Sequence, residues 1–171
     1  MPQNGKIGVL IFPAGEVNSV ELHDALCTCV NIRLYGASSY DRHGGYIFQD
    51  YTSGLPVISN PNFIEAFNRL IAEKQIDVVF PTHDTVAEFL SLHQTDISAK
   101  IIVADASTSE ICRDKKRTFE MFHDCTFCPR IDAEMNQYPV FVKPRKGQGA
   151  NGAFLVSRPD DIPNHVNWND V

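Results

Sequence analysis

Residues 6–35 read KIGVLIFPAGEVNSVELHDALCTCVNIRLY, and the change of rhythm inside this stretch sets the fold class. Lys6 to Phe12 is an unbroken apolar run of strand length, as expected for a strand buried on both faces of a sheet. After Pro13-Ala14-Gly15, apolar residues recur at helical spacing: Val17, Val20, Ala25, Leu26, Cys29 and Val30. Ile32 to Tyr35 returns to a strand pattern. Strand, helix and strand in this order make a βαβ unit, with parallel strands and a right-handed crossover.

The alternation continues downstream. Asn60-Pro61 marks a helix start, because Asn caps and Pro loses no amide partner in the first turn. Phe63, Ile64, Phe67, Leu70 and Ile71 form the apolar stripe of that helix. Asp77 to Pro81 (DVVFP) reads as another buried strand, and Thr85 with Glu88 has the spacing of a capping box. Lys100 to Ala104 is the next strand, followed by a second box at Ser107 and Glu110. Residues 36–58 are irregular, with Ile47-Phe48 and Pro56-Val57-Ile58 as candidate short strands. The expectation for residues 1–112 is a doubly wound α/β domain with a parallel, Rossmann-like sheet.

From Arg113 the pattern changes. Residues 114–123 read as a short helix with Phe119 and Phe122 on its inner face. Two strands, Val140–Lys143 and Ala153–Val156, flank a glycine loop, and Asp160-Asp161-Ile162 suggests a further helix start. A helix and a hairpin cannot enclose a core of their own, so 113–171 is expected to be an incomplete α+β domain.

Composition narrows the function classes. The chain has 171 residues, 43% hydrophobic and 21% charged, which suits a globular protein of one domain and part of another. No apolar stretch approaches the roughly 18 residues of a membrane span, and no signal pattern opens the chain, so the expected location is cytoplasmic. The net charge of −6 is divided unevenly. Residues 1–112 hold 6 Lys/Arg against 13 Asp/Glu, or −7, while 113–171 hold 9 against 8, or +1. An acidic first part argues against nucleic acid, and the basic clusters at 113–117 and 143–146 suit a small anion. The five cysteines include Cys27/Cys29 and Cys125/Cys128. CxC with CxxC is not the usual zinc set, so reduced structural thiols are favoured over a metal site or a redox pair.

Within the loop, Gly147, Gly149 and Gly152 alternate with Gln148, Ala150 and Asn151. Such a segment can turn successive amides toward a phosphate, with Lys143 and Lys146 adding charge. A solvated hairpin tip is the competing reading. Neither the P-loop motif nor the dinucleotide fingerprint is present where its fold requires it, which argues against NAD. On the α/β side, ligands of such sheets sit beyond the carboxyl ends of the strands. That rule selects Glu16 and Asn18 after the first strand, and His83 and Asp84 after DVVFP, with plain helix capping as the alternative.

Asp114-Lys115 opening a helix, then a hydrophobic–Pro step, YPVFVKP, the glycine loop and a strand follow one another in an order that resembles the ATP-grasp superfamily. IDVVFPTHDTVAEFL, residues 76–90, is similar to the strand–helix unit of pre-ATP-grasp domains. The resemblance is nearest to carbamoyl-phosphate-synthase large-subunit-like members, with biotin carboxylase and D-alanine–D-alanine ligase more distant. It implies that Lys115 reaches the nucleotide phosphates, with Lys116 as its rival. It implies that Lys143 contacts the α- and β-phosphates, and that residues 146–152 close over the γ-phosphate. The implied cofactors are ATP and Mg²⁺, and the implied partner is a small carboxylate substrate. In the family the adenine segment and the metal ligands lie downstream of the glycine loop, beyond Val171. The resemblance therefore implies the front half of an ATP-dependent ligase, inactive alone, with no catalytic or metal-binding residue of its own, and with a homodimer or a missing C-terminal half to consider. The alternatives are a stand-alone binding or regulatory module, and one subunit of a split enzyme.

Overall fold

The structure is a computed structural model describing residues 5–40, 43–131 and 137–163. The chain forms two compact units, residues 1–109 and 110–171. The first contains β1 (Ile7–Phe12), α1 (Val17–Leu26), β2 (Ile32–Ala37), α2 (Gly44–Ile47), β3 (Tyr51–Thr52), α3 (Phe63–Lys74), β4 (Val78–Pro81), α4 (Asp84–Leu92) and β5 (Lys100–Ile101). Helix α5 (Ala106–Arg113) carries the chain into the second unit.

All five strands are parallel, in the order β3-β2-β1-β4-β5. The chain steps outward from β1 to β3, then returns to lay β4 on the other side of β1. The topological switch lies between β1 and β4, where such sheets open a crevice. Strand β1 is apolar throughout because it feeds two cores. Leu10 and Phe12 pack with Phe63, Phe67, Leu70 and Ile71 of α3 and with Val86 and Leu90 of α4. Ile11 points the other way, toward Ala14, Phe48 and the partly buried Leu22. Helices on both faces make this the doubly wound α/β fold that the alternation predicts.

Several local expectations are corrected. Helix α1 ends at Leu26, so Cys29 and Val30 lie outside it, and Val17 is exposed. Its buried residue is Ser19, whose hydroxyl donates to Glu16 O at 2.6 Å. The core on this face is small, so α1 needs only a narrow contact rather than a full apolar stripe. Residues 44–47 are helical, and the neighbouring strand is Tyr51–Thr52, not 47–48 or 56–58. Gly44 is pressed onto the β1–α1 turn, where an added Cβ would lie 1.9 Å from Ala14 O. Strand β5 stops at Ile101, short of Ala104.

The helix caps also differ. His83 caps α4 through Nδ1, which accepts from the Thr85 amide at 3.2 Å, so Thr85 lies inside the first turn. Asp105 caps α5, accepting from the Ser107 hydroxyl at 2.6 Å, the Thr108 amide at 2.9 Å and the Thr108 hydroxyl at 2.8 Å. These bonds, the Ser107 hydroxyl foremost, hold the Asp105 carboxyl well below the usual carboxylate range.

Gly8 shows how closely the sheet's entry is packed. Its amide donates to Asp77 Oδ2 at 2.7 Å, its carbonyl accepts from the Asp77 amide at 2.8 Å, and an added Cβ would sit 2.2 Å from Gln75 O. Because the obstructing atom is backbone, Gly8→Ala is expected to cost about 2 kcal/mol by overpacking. Urea unfolding checks this as a lower midpoint at unchanged slope.

The second unit contains α6 (Lys115–Met121) and the antiparallel pair β6 (Val140–Val142) and β7 (Phe154–Val156). Val142 and Val156 are buried on one face of this hairpin. On the other, the cross-strand pair Phe141 and Leu155 is 63% and 59% exposed. Phe122 follows α6 rather than lining its inner face, and it is exposed, with its ring 5.9 Å from that of Phe127. Residues 159–161 form only a 3₁₀ turn where the sequence suggests a helix start. Among the described residues, no helix is long and apolar enough to cross a membrane.

Candidate functional site

The glycine loop is tied to the start of α6. Asp114 caps this helix, its Oδ1 accepting from the Lys116 amide at 3.0 Å. The same carboxylate receives the Arg145 guanidinium, from Nε to Oδ1 at 3.1 Å and from Nη2 to Oδ2. The Arg145 hydrogen bond is the main reason the Asp114 carboxyl titrates below its ordinary value, with burial opposing it. Lys115 adds a second tie: its amide donates to Arg145 O at 3.0 Å and its Nζ to Gly147 O at 3.1 Å. Arg113 Nη1 reaches the same carbonyl at 3.4 Å.

This geometry separates the two adjacent lysines. Lys115 is half-buried with its ammonium on the loop, whereas Lys116 is exposed. Lys143, just after β6, lies with Nζ 4.5 Å above the centroid of the Phe119 ring, a cation–π contact with α6. Lys146 is exposed on the loop itself. At the tip, Gly149 and Gly152 take left-handed φ angles of 62° and 72°. Ala150 does the same at 57°, although its Cβ disfavours it. Two turns shape this tip, with the Asn151 amide donating to Gln148 O at 3.2 Å and the Ala153 amide to Ala150 O at 3.1 Å. The second unit thus gathers Lys115, Lys143, Lys146 and residues 147–152 around one hairpin. The sequence reading missed the Asp114–Arg145 pair. Its available signal was an aspartate standing before a basic helix, a cap type whose carboxylate can serve a second partner.

A separate cleft of about 270 Å³ lies in the first unit, beyond the carboxyl ends of β1, β2 and β4. Glu16 follows β1, Ser38 to Tyr40 follow β2, and His83 and Thr85 follow β4, with Phe12, Val57, Ile58 and Val86 among its apolar walls. Of the four substrate-side candidates, Glu16 and His83 line it. Asn18 instead bonds to Thr82 O through Nδ2 at 3.5 Å, and Asp84 is exposed at the first position of α4; neither is among the lining residues. Thr82, buried, ties the β4 end to Pro13 O with a 2.7 Å bond from its hydroxyl. Ser38, Ser39 and Tyr40 were not selected from sequence, although the carboxyl-end rule applies equally to β2.

The five cysteines are free thiols, and the described residues contain no group of three or more His, Cys, Asp or Glu placed to hold a metal ion.

No family model and no curated protein matches the chain. Solved structures do. Pyruvate carboxylase T882A from Rhizobium etli superposes with a TM-score of 0.68 at 14% identity, over 95% of this chain and 16% of that one. L-amino acid ligase from Bacillus licheniformis gives 0.64 at 14% identity, over 94% and 41%. Biotin carboxylase from Campylobacter jejuni gives 0.63 at 16% identity, over 90% and 39%. The chain therefore spans well under half the length of these proteins. At such identities the likeness is one of fold, covering both the parallel α/β unit and the second unit.

Proposed function

We propose that this chain is the opening portion of an ATP-dependent ligase of the ATP-grasp kind, in which a carboxylate or bicarbonate is activated as an acyl phosphate and then attacked by an amine. The observation that carries this reading is the convergence of the Lys115 ammonium on the loop that holds Gly147, Gly149 and Gly152, 3.1 Å from Gly147 O. A cationic helix start docked onto a glycine-rich hairpin suits the polyanionic end of a nucleotide.

The residues fit ATP in distinct ways. Lys115 would exchange Gly147 O for a phosphate oxygen. Lys143 would offer its compact charge to the α- and β-phosphates. Residues 146–152 would fold their amides around the γ-phosphate and exclude water. Bound ATP supplies the phosphoryl group, and Mg²⁺ supplies the further charge that phosphoryl transfer needs. No residue of this chain is assigned to the metal. A second reading, a small-molecule binding module, draws on the cleft of the first unit. A third, a split enzyme, draws on the exposed Phe141–Leu155 face.

The test is an amide NMR titration of the ¹⁵N-labelled chain with ATP, tripolyphosphate and adenosine. ATP and tripolyphosphate are expected to shift the amides of residues 146–152, and adenosine to leave them in place. Lys115→Ala and Lys143→Ala should each weaken the ATP response by about 10-fold, the scale of one charge-assisted hydrogen bond. Loop amides indifferent to millimolar ATP, or shifts that survive both substitutions, would overturn the reading.

A further inference from the structure

We propose that the cleft beyond β1, β2 and β4 binds a small uncharged molecule, an apolar ring or branched chain carrying one hydroxyl or carboxamide, held through Ser38. All the described lining residues fall within 12–86, so the α/β unit supplies the site by itself. The cleft stands at the switch point of the parallel sheet, where open α/β sheets hold their ligands.

Ser38 is the informative residue. It follows β2 directly, and its main chain is fixed on both sides: its amide donates to Thr52 O at 3.0 Å and its carbonyl accepts from the Leu55 amide at 3.3 Å. The residue is only 4% exposed, and its hydroxyl has no hydrogen-bond partner among the described residues although the residue lines the cleft. Buried hydroxyls are almost always paired. This one cannot follow its backbone out to solvent, so it is an open position for a polar group that enters the cleft.

The rest of the lining sets the charge and the size of that group. The Ser39 hydroxyl already donates to Pro56 O at 3.0 Å. Glu16, Tyr40, His83 and Thr85 have partners of their own. Glu16 is the one Asp or Glu among the described lining residues, and they include no lysine or arginine. A charged ligand would therefore shed water without meeting an ion reserved for it, which is costly, whereas a neutral group needs only a hydrogen bond. A serine hydroxyl both donates and accepts, so an alcohol and a carboxamide suit it equally. Phe12, Pro13, Val57, Ile58 and Val86 supply an apolar wall. The volume of about 270 Å³ exceeds the roughly 150 Å³ that holds benzene in an engineered cavity, so an aromatic ring with a short polar arm fits. The ligand class rests on the binding-module reading of the first unit and takes nothing from the lysines and glycine loop of the second.

The experiment is an amide NMR titration of the 171-residue chain with four probes of one size: benzyl alcohol, toluene, benzylamine and benzoate. Benzyl alcohol is expected to give saturable shifts at Gly15, Ser38, Ser39 and Val86. Toluene should move the same amides about 5-fold more weakly, the scale of one neutral hydrogen bond, and the two ions should move none of them over the same range. Ser38→Ala should weaken benzyl alcohol by the same factor and leave toluene unchanged, which a merely structural role of the hydroxyl would not do. Toluene bound as tightly as the alcohol, or an alcohol response undiminished in Ser38→Ala, would overturn the role of Ser38 and with it the proposal. A stronger response to benzylamine or benzoate would keep a binding module and overturn this ligand class. No saturable shift with any probe would overturn both, leaving the hydroxyl to water. The ATP response of residues 146–152 is read separately, so the ligase reading can stand or fall without this site.

Discussion

Phe67→Ala is expected to lower the stability of the α/β unit by about 3–5 kcal/mol, the largest effect of any substitution considered. Phe67 is fully buried, with its ring 5.2 Å from Phe12 and 5.1 Å from Phe63. Phe12 belongs to the central strand and Phe63 to the first turn of the same helix, so neither can move into the space left by the ring. A cavity would remain, and its cost adds to the lost burial. Domains of this size are stabilised by about 5–15 kcal/mol, so the substitution removes a large fraction of the whole. Phe67→Leu, which refills most of the volume, should cost roughly 1.5 kcal/mol. Urea denaturation distinguishes the two. A loss below 1.5 kcal/mol for the alanine variant would show a core that collapses around the defect.

Asp114→Ala is expected to have the next largest effect, confined to the second unit. One carboxylate both caps α6 and holds Arg145. Loss of a cap costs about 1 kcal/mol. Breaking a buried ion pair costs about 3–5 kcal/mol, but the Arg145 side chain is 33% exposed and would rehydrate, so the pair counts for less here. A total of about 2–3 kcal/mol should appear as faster hydrogen exchange in α6 and in the β6–β7 hairpin, with the α/β unit unaffected. The acid response follows from the same contact. The folded Asp114 titrates below its ordinary value, held there first by Arg145. Its contribution is therefore complete above the ordinary aspartate range of about pH 4, and it is lost as pH falls through the lower folded value. Asp114→Asn keeps the shape and should remove this acid-dependent loss of protection. An Asn variant with the same acid sensitivity would assign that sensitivity to other groups.

The fold was legible because the central strand is apolar at every position from Val9 to Phe12, a pattern that only burial on two faces explains. Helix α3 was legible for the same kind of reason, with Phe63, Phe67, Leu70 and Ile71 placed on one face. Helix α1 was legible as a helix, but its end and its buried contact were not, because that contact rests on a serine, which hydropathy periodicity cannot see. The caps at His83 and Asp105 were each displaced by two residues, since Ser and Thr nearby satisfy the same local rule and only the fold selects among them. For the site, sequence could name the loop and its lysines. It could not rank Lys115 above Lys116, because that depends on the turn that brings Gly147 O to one ammonium and not the other. The Ser38–Tyr40 side of the cleft stayed hidden within an irregular segment whose place in space follows from the parallel pairing of β2 with β3.

Among the described residues, two other than glycine adopt left-handed backbone angles, and they sit in opposite mechanical settings. Gln75, at φ 53°, ends α3 with its amide on Ala72 O at 3.2 Å and its carbonyl wedged against Gly8, so its surroundings fix it. Ala150, at φ 57°, occupies the exposed tip of the glycine loop, where little besides two local turns holds it. The left-handed form costs roughly 1–2 kcal/mol for a residue with a Cβ. At Gln75 that energy is locked into the frame. At Ala150 the same energy is borne by an exposed tip, so a glycine there is expected to relieve it without disturbing a core.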